Sequence, residues 1–390
     1  MNRKKKIKIL AVCLWPWGGL RTYMKYNYHY FPKDEVEITL LADPMIEKEY
    51  LEKDMKTEGI RIVWAKPFLG RNILFLRTAR MLMRERFDLI HSHGYITAFH
   101  VSLVSRFFRI PHVFTIHSIL VAKFFQGMAG KLKRFVFTRS MRTIDVFHGV
   151  SEDIIEYSKT TFPALLKSKA KWVVIESGIQ TEPFLNSLPG AGNRVREKAK
   201  VEKGSFIFGF FGRLEPEKGF NFIIDSVEKL KAENRRMDFV VMAVGHGMFE
   251  NEYKSIIEKK RLAGFFRFLP FDPDVASLMK GCDAILTPSV VEGRGLVACE
   301  ALCAGIPLIA TDCLALRETV RDTPTIVIRP QDAEALAGAM SHLMSHPELK
   351  QEFAAFQTQA AARFDVKYSA EALFNLFKDT LAAQSSGGKP

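Results

Sequence analysis

Apolar residues fall along this chain in blocks. Runs of about four to eight, such as residues 36–42, 146–150, 206–211 and 239–244, are bounded by glycine, proline or charge and read as strands buried on both faces. Further strands are expected at 6–14, 60–64, 87–93, 111–117, 172–175, 266–269, 284–286, 307–311 and 325–328. Between many of them, apolar positions recur three and four apart, the spacing of a helix with one buried face. Such stretches are 20–30, 72–85, 221–233, 275–281, 296–304 and 332–346, followed by 348–356 and 368–382. Strand, helix, strand in succession predicts an α/β fold with parallel sheets. The alternation runs to about residue 176, is interrupted by a charged, loop-rich stretch at 186–204, and restarts at 206. Two α/β domains are therefore expected, which suits a chain of 390 residues.

Composition adds limits. The chain is 47% hydrophobic and 25% charged, ample for two cores, and no apolar run reaches the ~20 residues that span a bilayer. Arg3, Lys4, Lys5 and Lys6 before the apolar run 9–15 imitate a secretory signal. That run is short, no small-residue cleavage site follows, and Trp15-Pro16-Trp17-Gly18-Gly19 reads as a strand end and loop. The five cysteines form no CxxC pair, so buried free thiols in a reducing cytoplasm are expected. The net charge of +13 is unevenly placed: up to Trp172 there are 30 Lys+Arg against 15 Asp+Glu, and from Val173 on 26 against 28. Between Asp88 and Asp145 there is no acid, while Lys123, Lys131, Lys133, Arg134, Arg139 and Arg142 mix with Phe124, Phe125, Phe135 and Phe137. That mixture suits an anionic membrane surface and a peripheral site on the inner face of the plasma membrane. A basic nucleic-acid-binding protein is the alternative of another class, but no RRM, KH or zinc pattern is present, and nucleic acid is not an expected partner.

Candidate chemistry gathers at strand ends. Gly18-Gly19, between the first strand and helix, can offer backbone amides to a phosphate. Arg213 and Lys218 sit in the Gly212–Gly219 loop between a strand and a helix, where a guanidinium fork and an ammonium can hold a diphosphate. Gly245 ends the strand 239–244. The stretch 287–320 carries Glu292-Gly293-Arg294-Gly295-Leu296: two glycines free the backbone, and the amides of Arg294, Gly295 and Leu296 point from a helix N-terminus. Glu292 stands beside them and Glu300 inside the helix, where a carboxylate seeks hydroxyl partners. His91 and His93 end one strand and His117 another, with their side chains expected to leave the sheet toward a cleft. No third ligand accompanies the histidine pair, and Asp272-Pro273-Asp274 reads as a helix cap, so no metal is expected.

The segment Pro288–Asp312 reads P-S-x-x-E-G-x-G-L-x-x-x-E-A-x-x-x-G-x-P-x-I-A-T-D. It resembles the retaining GT-B glycosyltransferases of the family-four type (glycosyl transferases group 1), whose mark is two glutamates with seven residues between them. The resemblance implies two Rossmann-like βαβ domains facing each other across a cleft: residues 1–176 binding the acceptor, with the last helix 366–383 packing back on them, residues 177–365 binding the donor, and a flexible tail at 384–390. It implies that Arg213 and Lys218 hold the donor diphosphate, that Glu292 binds the donor sugar and Glu300 the ribose, that Gly245 lies near the nucleotide, and that His117 contacts the sugar near the reacting carbon. His117 and Glu292 are then the catalytic candidates. Gly18, Gly19, Arg213, Lys218, Gly245, Gly293, Arg294, Gly295, Leu296 and Glu300 are the donor-binding ones. The activity implied is metal-independent transfer, needing no cofactor, from a UDP- or GDP-linked sugar to a glycan or lipid-linked acceptor in cell-envelope polysaccharide or lipopolysaccharide synthesis. A nucleotide-sugar epimerase of the same fold is the alternative. Three positions depart from the family's pattern: Arg294, where an aromatic or small residue is usual, Ser177 for asparagine, and Met248 for proline.

Overall fold

A computed structural model describes residues 5–43, 48–65, 74–120, 125–186, 191–232 and 238–387. The chain divides into two compact units. Unit 1 is Met1–Ser177 with Val366–Pro390, and unit 2 is Gly178–Asp365.

Unit 1 is built on a seven-stranded sheet in the order β3-β2-β1-β4-β5-β6-β7. Its strands are β1 (Ile7–Cys13), β2 (Val36–Ala42), β3 (Arg61–Trp64), β4 (Leu89–His93), β5 (His112–Ile116), β6 (Val146–Gly149) and β7 (Lys171–Val174). Every pairing is parallel. A parallel strand covered on both faces needs continuous apolar sequence, and β1 shows it. Ile9, Ala11 and Cys13 enter one core cluster, whereas Leu10 and Val12 enter the cluster on the other face. The final helix Val366–Gly387 belongs to the first of these. Its Phe374 and Phe377 rings lie 5.3 and 5.8 Å from Phe31, and Ser369 donates to the Asn27 side chain at 3.2 Å.

Unit 2 holds six parallel strands in the order β10-β9-β8-β11-β12-β13. They are β8 (Phe206–Phe211), β9 (Phe239–Val244), β10 (Phe266–Leu269), β11 (Ala284–Thr287), β12 (Leu308–Thr311) and β13 (Ile326–Ile328). The chain enters and leaves this unit side by side: Ile179 bridges to Asp365, and its amide donates to the Phe364 carbonyl at 2.8 Å.

In each sheet the order reverses once, between β1 and β4 and between β8 and β11. The loops leaving these strands diverge to opposite faces and leave a crevice at the carboxyl edge, which is where doubly wound sheets take ligands.

Two helices exceed the expected lengths, at Leu349–Phe364 and Val366–Gly387. The second runs past the point where a tail is expected to begin. Helix Gly127–Met141 escapes the periodicity reading because it is apolar on both sides. Phe137 and Met141 are buried, while Met128, Leu132, Phe135 and Val136 face solvent. Lys123 and Phe124 of the basic segment lie outside the described residues. All five cysteines are buried free thiols. No helix among the described residues is long and apolar enough to cross a membrane.

Phe377 is wholly buried, between Phe31 and the His91 ring. Phe377→Ala is expected to destabilise unit 1 by about 3–5 kcal/mol, read as faster amide hydrogen exchange in β1 and β4. Unchanged protection there would mean that the last helix does not support the sheet.

Candidate functional site

The crevice in unit 2 is assembled by glycines that let loops touch backbone to backbone. β8 is followed by Gly212 and β9 by Gly245, both at positive φ. A Cβ on Gly245 would stand 2.2 Å from the Gly212 carbonyl oxygen, so only glycine fits. The two loops are then laced by Leu214 N–H to the His246 carbonyl at 3.1 Å and by Met248 N–H to Glu215 Oε1 at 2.9 Å. The loop after β8 closes in a 3₁₀ turn, Pro216–Lys218, and Gly219 follows in the left-handed region at φ +72°. A Cβ there would lie 2.0 Å from the Pro288 carbonyl. That approach sets Lys218 against the loop leaving β11.

The side chains meet where the strand order switches. Lys218 Nζ donates to Glu292 Oε1 at 2.6 Å, and Ser289 Oγ donates to the same oxygen at 2.8 Å. Val290 N–H reaches the Glu217 carbonyl at 2.9 Å, while Glu217 itself accepts from Arg213 Nη2 at 2.8 Å. Arg213, Lys218 and Glu292 are thus partly exposed and belong to one connected loop pair. Gly293 leads to Gly295, which at φ +79° starts the helix Leu296–Cys303. The first amides of that helix have no partner within it, as at any helix start. The Arg294 side chain does not join this group. It is buried, with its guanidinium 5.9 Å from the centre of the Phe364 ring. Its charge therefore lies inside the unit, and only its backbone belongs to the loop.

Glu300 lies in the second turn of the same helix and is 8% exposed. None of the described residues hydrogen-bonds its carboxylate, and burial pushes its pKa up to about 8. Asp274 caps helix Val275–Lys280 through Ser277 N–H and pairs with Arg194; Asp272 pairs with Lys198. Among the described residues, no three His, Cys, Asp or Glu side chains are grouped to hold a metal ion.

In unit 1, Gly18 takes φ +52° and Gly19 begins the helix Gly19–His29 at the end of β1. His117 follows β5 and is partly exposed. Its Nε2 lies 3.0 Å from His93 Nδ1, and the Tyr23 ring meets it edge-on with centroids 4.6 Å apart. The expectation that His91 and His93 leave the sheet toward a cleft is corrected. Both are buried and bonded to the Tyr28 hydroxyl at 2.9 Å, and the Phe377 ring lies against His91. Ser289, Tyr28, Thr115 and His148 were not singled out from the sequence. Ser289 had a visible signal in the Pro-Ser that precedes the loop, whereas Tyr28, Thr115 and His148, buried among apolar residues, have none.

Residues 193–359 match the family described as Glycosyl transferases group 1, and residues 17–183 that described as Glycosyltransferase Family 4. The chain is 23% identical to the UDP-Gal:alpha-D-GlcNAc-diphosphoundecaprenol alpha-1,3-galactosyltransferase of Escherichia coli, over 79% of this chain and 80% of that protein. It is 22% identical to the D-inositol 3-phosphate glycosyltransferase of Rhodococcus erythropolis, over 100% and 95%. Its fold is shared with Anabaena Alr3699/HepE in complex with UDP-glucose, with a TM-score of 0.79 at 21% identity, covering 97% of this chain and 100% of the other. The fold class is thereby GT-B.

The ribose-binding role that the resemblance implies for Glu300 carries a pH signature. The folded-state pKa lies above the ordinary 4.5, so the folded chain retains a proton between the two values, and stability falls as pH rises through about 8. Hydroxyl donors favour the ionised form. UDP binding measured calorimetrically in buffers of different ionisation enthalpy should release a proton below about pH 8, and Glu300→Gln should abolish that release. An equal release from both proteins would remove Glu300 from the ligand.

Proposed function

The chain belongs to the group 1 glycosyltransferases, and on that premise we propose that it is a retaining, metal-independent enzyme transferring a sugar from a UDP-sugar to a lipid-linked glycan of the cell envelope. The observation that carries this reading is the Lys218–Glu292–Ser289 cluster at the strand-order switch of unit 2. The bond that breaks joins the anomeric carbon to the diphosphate, which departs with growing negative charge. Arg213, Lys218 and the first amides of helix Leu296–Cys303 stabilise that charge as fixed donors, where another enzyme would use a metal ion. Glu292, oriented by Lys218 and Ser289, accepts hydroxyls of the sugar, and Glu300 those of the ribose.

With Glu292 and Glu300 given to binding and Glu217 paired with Arg213, none of these three carboxylates is left to act as a nucleophile opposite a general acid. A front-face attack satisfies the chemistry. The acceptor oxygen bonds to the anomeric carbon on the side the phosphate leaves, and its proton passes to the departing phosphate oxygen. His117 takes the role of a sugar-hydroxyl partner. The name of the Escherichia coli relative, with UDP-Gal as donor and a diphosphoundecaprenol-linked acceptor, supports the UDP-sugar and the lipid-linked acceptor.

Unit 1 supplies a surface that suits such an acceptor. Helix Gly127–Met141 exposes Met128, Leu132 and Phe135 beside Lys131, Lys133 and Arg139, and Phe107 is exposed on helix Tyr95–Phe108. Apolar side chains next to cations fit the headgroup boundary of an anionic inner leaflet.

A panel of UDP-sugars, followed through slow donor hydrolysis, should reveal one that is turned over without any acceptor. Lys218→Ala and Glu292→Gln should each lower that rate by about 100-fold or more with unchanged circular dichroism, and EDTA should have no effect. Wild-type rates in both variants would refute the assignment. Flotation should recover the chain with phosphatidylglycerol vesicles and not with phosphatidylcholine ones, and Leu132→Ser with Phe135→Ser should abolish recovery. Absence from both vesicle types in the unaltered chain would remove the membrane from the account.

A further inference from the structure

One face of the unit 1 sheet buries imidazoles that the proposed chemistry does not use. Register sets His93, Thr115 and His148 side by side on β4, β5 and β6. His91 precedes His93 by two residues and so shares its face. Tyr28 reaches them from helix Gly19–His29. The contacts form one continuous chain. His148 Nε2 lies 3.1 Å from the Ile175 carbonyl, and His148 Nδ1 is 2.9 Å from Thr115 Oγ1. Thr115 Oγ1 is 2.6 Å from His91 Nε2, and His91 Nδ1 is 2.9 Å from the Tyr28 hydroxyl. That hydroxyl is 2.9 Å from His93 Nε2, and His93 Nδ1 is 3.0 Å from His117 Nε2.

The carbonyl at one end determines the direction of every bond. It can only accept, so His148 Nε2 carries a proton, and in a neutral ring Nδ1 is then bare. Thr115 donates its single proton to that nitrogen and must accept from His91 Nε2–H. His91 Nδ1 is bare in turn and takes the Tyr28 proton, which leaves the Tyr28 oxygen to accept from His93 Nε2–H. His93 Nδ1 accepts from His117 Nε2–H.

We propose that this chain fixes His117 as a hydrogen-bond acceptor: Nε2 donates inward, Nδ1 presents its lone pair at the partly exposed end, and the group it takes is a hydroxyl rather than a phosphate or carboxylate oxygen. Tyr28, His91, His93, Thr115 and His148 are positioning residues for that nitrogen. The rings stay neutral because burial pushes His93 to about 3 and His148 to about 4, and holds His91 and His117 far below the ordinary histidine range. Burial likewise holds the Tyr28 phenol protonated. That the hydroxyl belongs to the transferred sugar rests on the function proposed above; the tautomer does not.

The test is the ¹⁵N spectrum of the histidine rings in the full labelled chain without ligand at neutral pH, with His117→Asn used to assign the signals. His117 should show a protonated Nε2 and a bare Nδ1. Tyr28→Phe removes one oxygen and leaves His93 Nε2 facing an apolar ring. The proton of His93 then moves to Nδ1, donates to His117 Nε2, and drives the His117 proton onto Nδ1, so its two signals exchange character. A His117 that is doubly protonated or protonated on Nδ1 in the unaltered chain overturns the proposal, even if the variant does not fold. So does a folded Tyr28→Phe in which His117 is unchanged. With no ligand in the sample, failure of the glycosyltransferase reading leaves this result standing.

Discussion

The close approach of Gly219 to the Pro288 carbonyl is the constraint on which the unit 2 site depends. It joins the two loops that leave β8 and β11, and these are the strands between which the sheet reverses its order. Only there do two successive crossovers run to opposite faces and leave their loops free to converge on a ligand. Lys218 and Glu292, 74 positions apart, become a partly buried ion pair as a result. An exposed pair contributes about 0–1 kcal/mol, so the pairing itself is a weak reason to hold the loops. The glycine contact does that, and the pair inherits its geometry. In the proposed function, an ammonium and a carboxylate already aligned need little reorganisation to receive a leaving anion and a hydroxyl, which is where preorganised electrostatics has its advantage.

Polar groups are held differently in the two units. In unit 2, Arg213, Lys218 and Glu292 stand at loop ends and keep some exposure. In unit 1, His91, His93 and His148 are buried and survive only as neutral rings, each with both nitrogens bonded, as burial requires. Glu300 falls between these cases. It is buried like the histidines but has no hydrogen-bond partner among the described residues, and it keeps its proton up to about pH 8. In the proposed function, the hydroxyl donors of the ligand supply what the fold withholds from it.

Much of the architecture was legible in the sequence for a physical reason. Strands buried on both faces are continuous apolar runs, and those at 36–42, 206–211, 239–244 and 266–269 coincide with β2, β8, β9 and β10. The loops bearing Arg213, Lys218 and Glu292 were legible because glycine and charge interrupt apolar sequence at strand ends. Helix Gly127–Met141 was not, since Met128, Leu132, Phe135 and Val136 face solvent among its cations and blur the helical period. The burial of the Arg294 side chain was not legible, because nothing local indicates that Phe364, 70 positions later, lies near it. The orientation of His91 and His93 was missed for the same reason: it is set by Tyr28 and by Phe377 at the far end of the chain.

Charge shows the limit of counting most clearly. The acid-free span suggests a strongly cationic face, and several of its cations, though exposed, are engaged by neighbouring groups of the fold. Arg134 donates to the Thr161 carbonyl and lies over the Phe162 ring, Arg142 donates to the Lys167 carbonyl, and Arg106 acts on Asp145. Lys131, Lys133 and Arg139 are exposed on helix Gly127–Met141 beside the carbonyl-bonded Arg134. For the proposed membrane contact, three cations near an anionic leaflet supply about 3 kcal/mol. Burying Met128, Leu132 and Phe135 supplies about 1.5–3 kcal/mol each at full burial. Association itself costs about 4 kcal/mol or more, which the cations alone do not offset. The apolar residues must therefore carry the larger part, with the cations selecting the leaflet, so this surface would be more sensitive to loss of Leu132 and Phe135 than to salt.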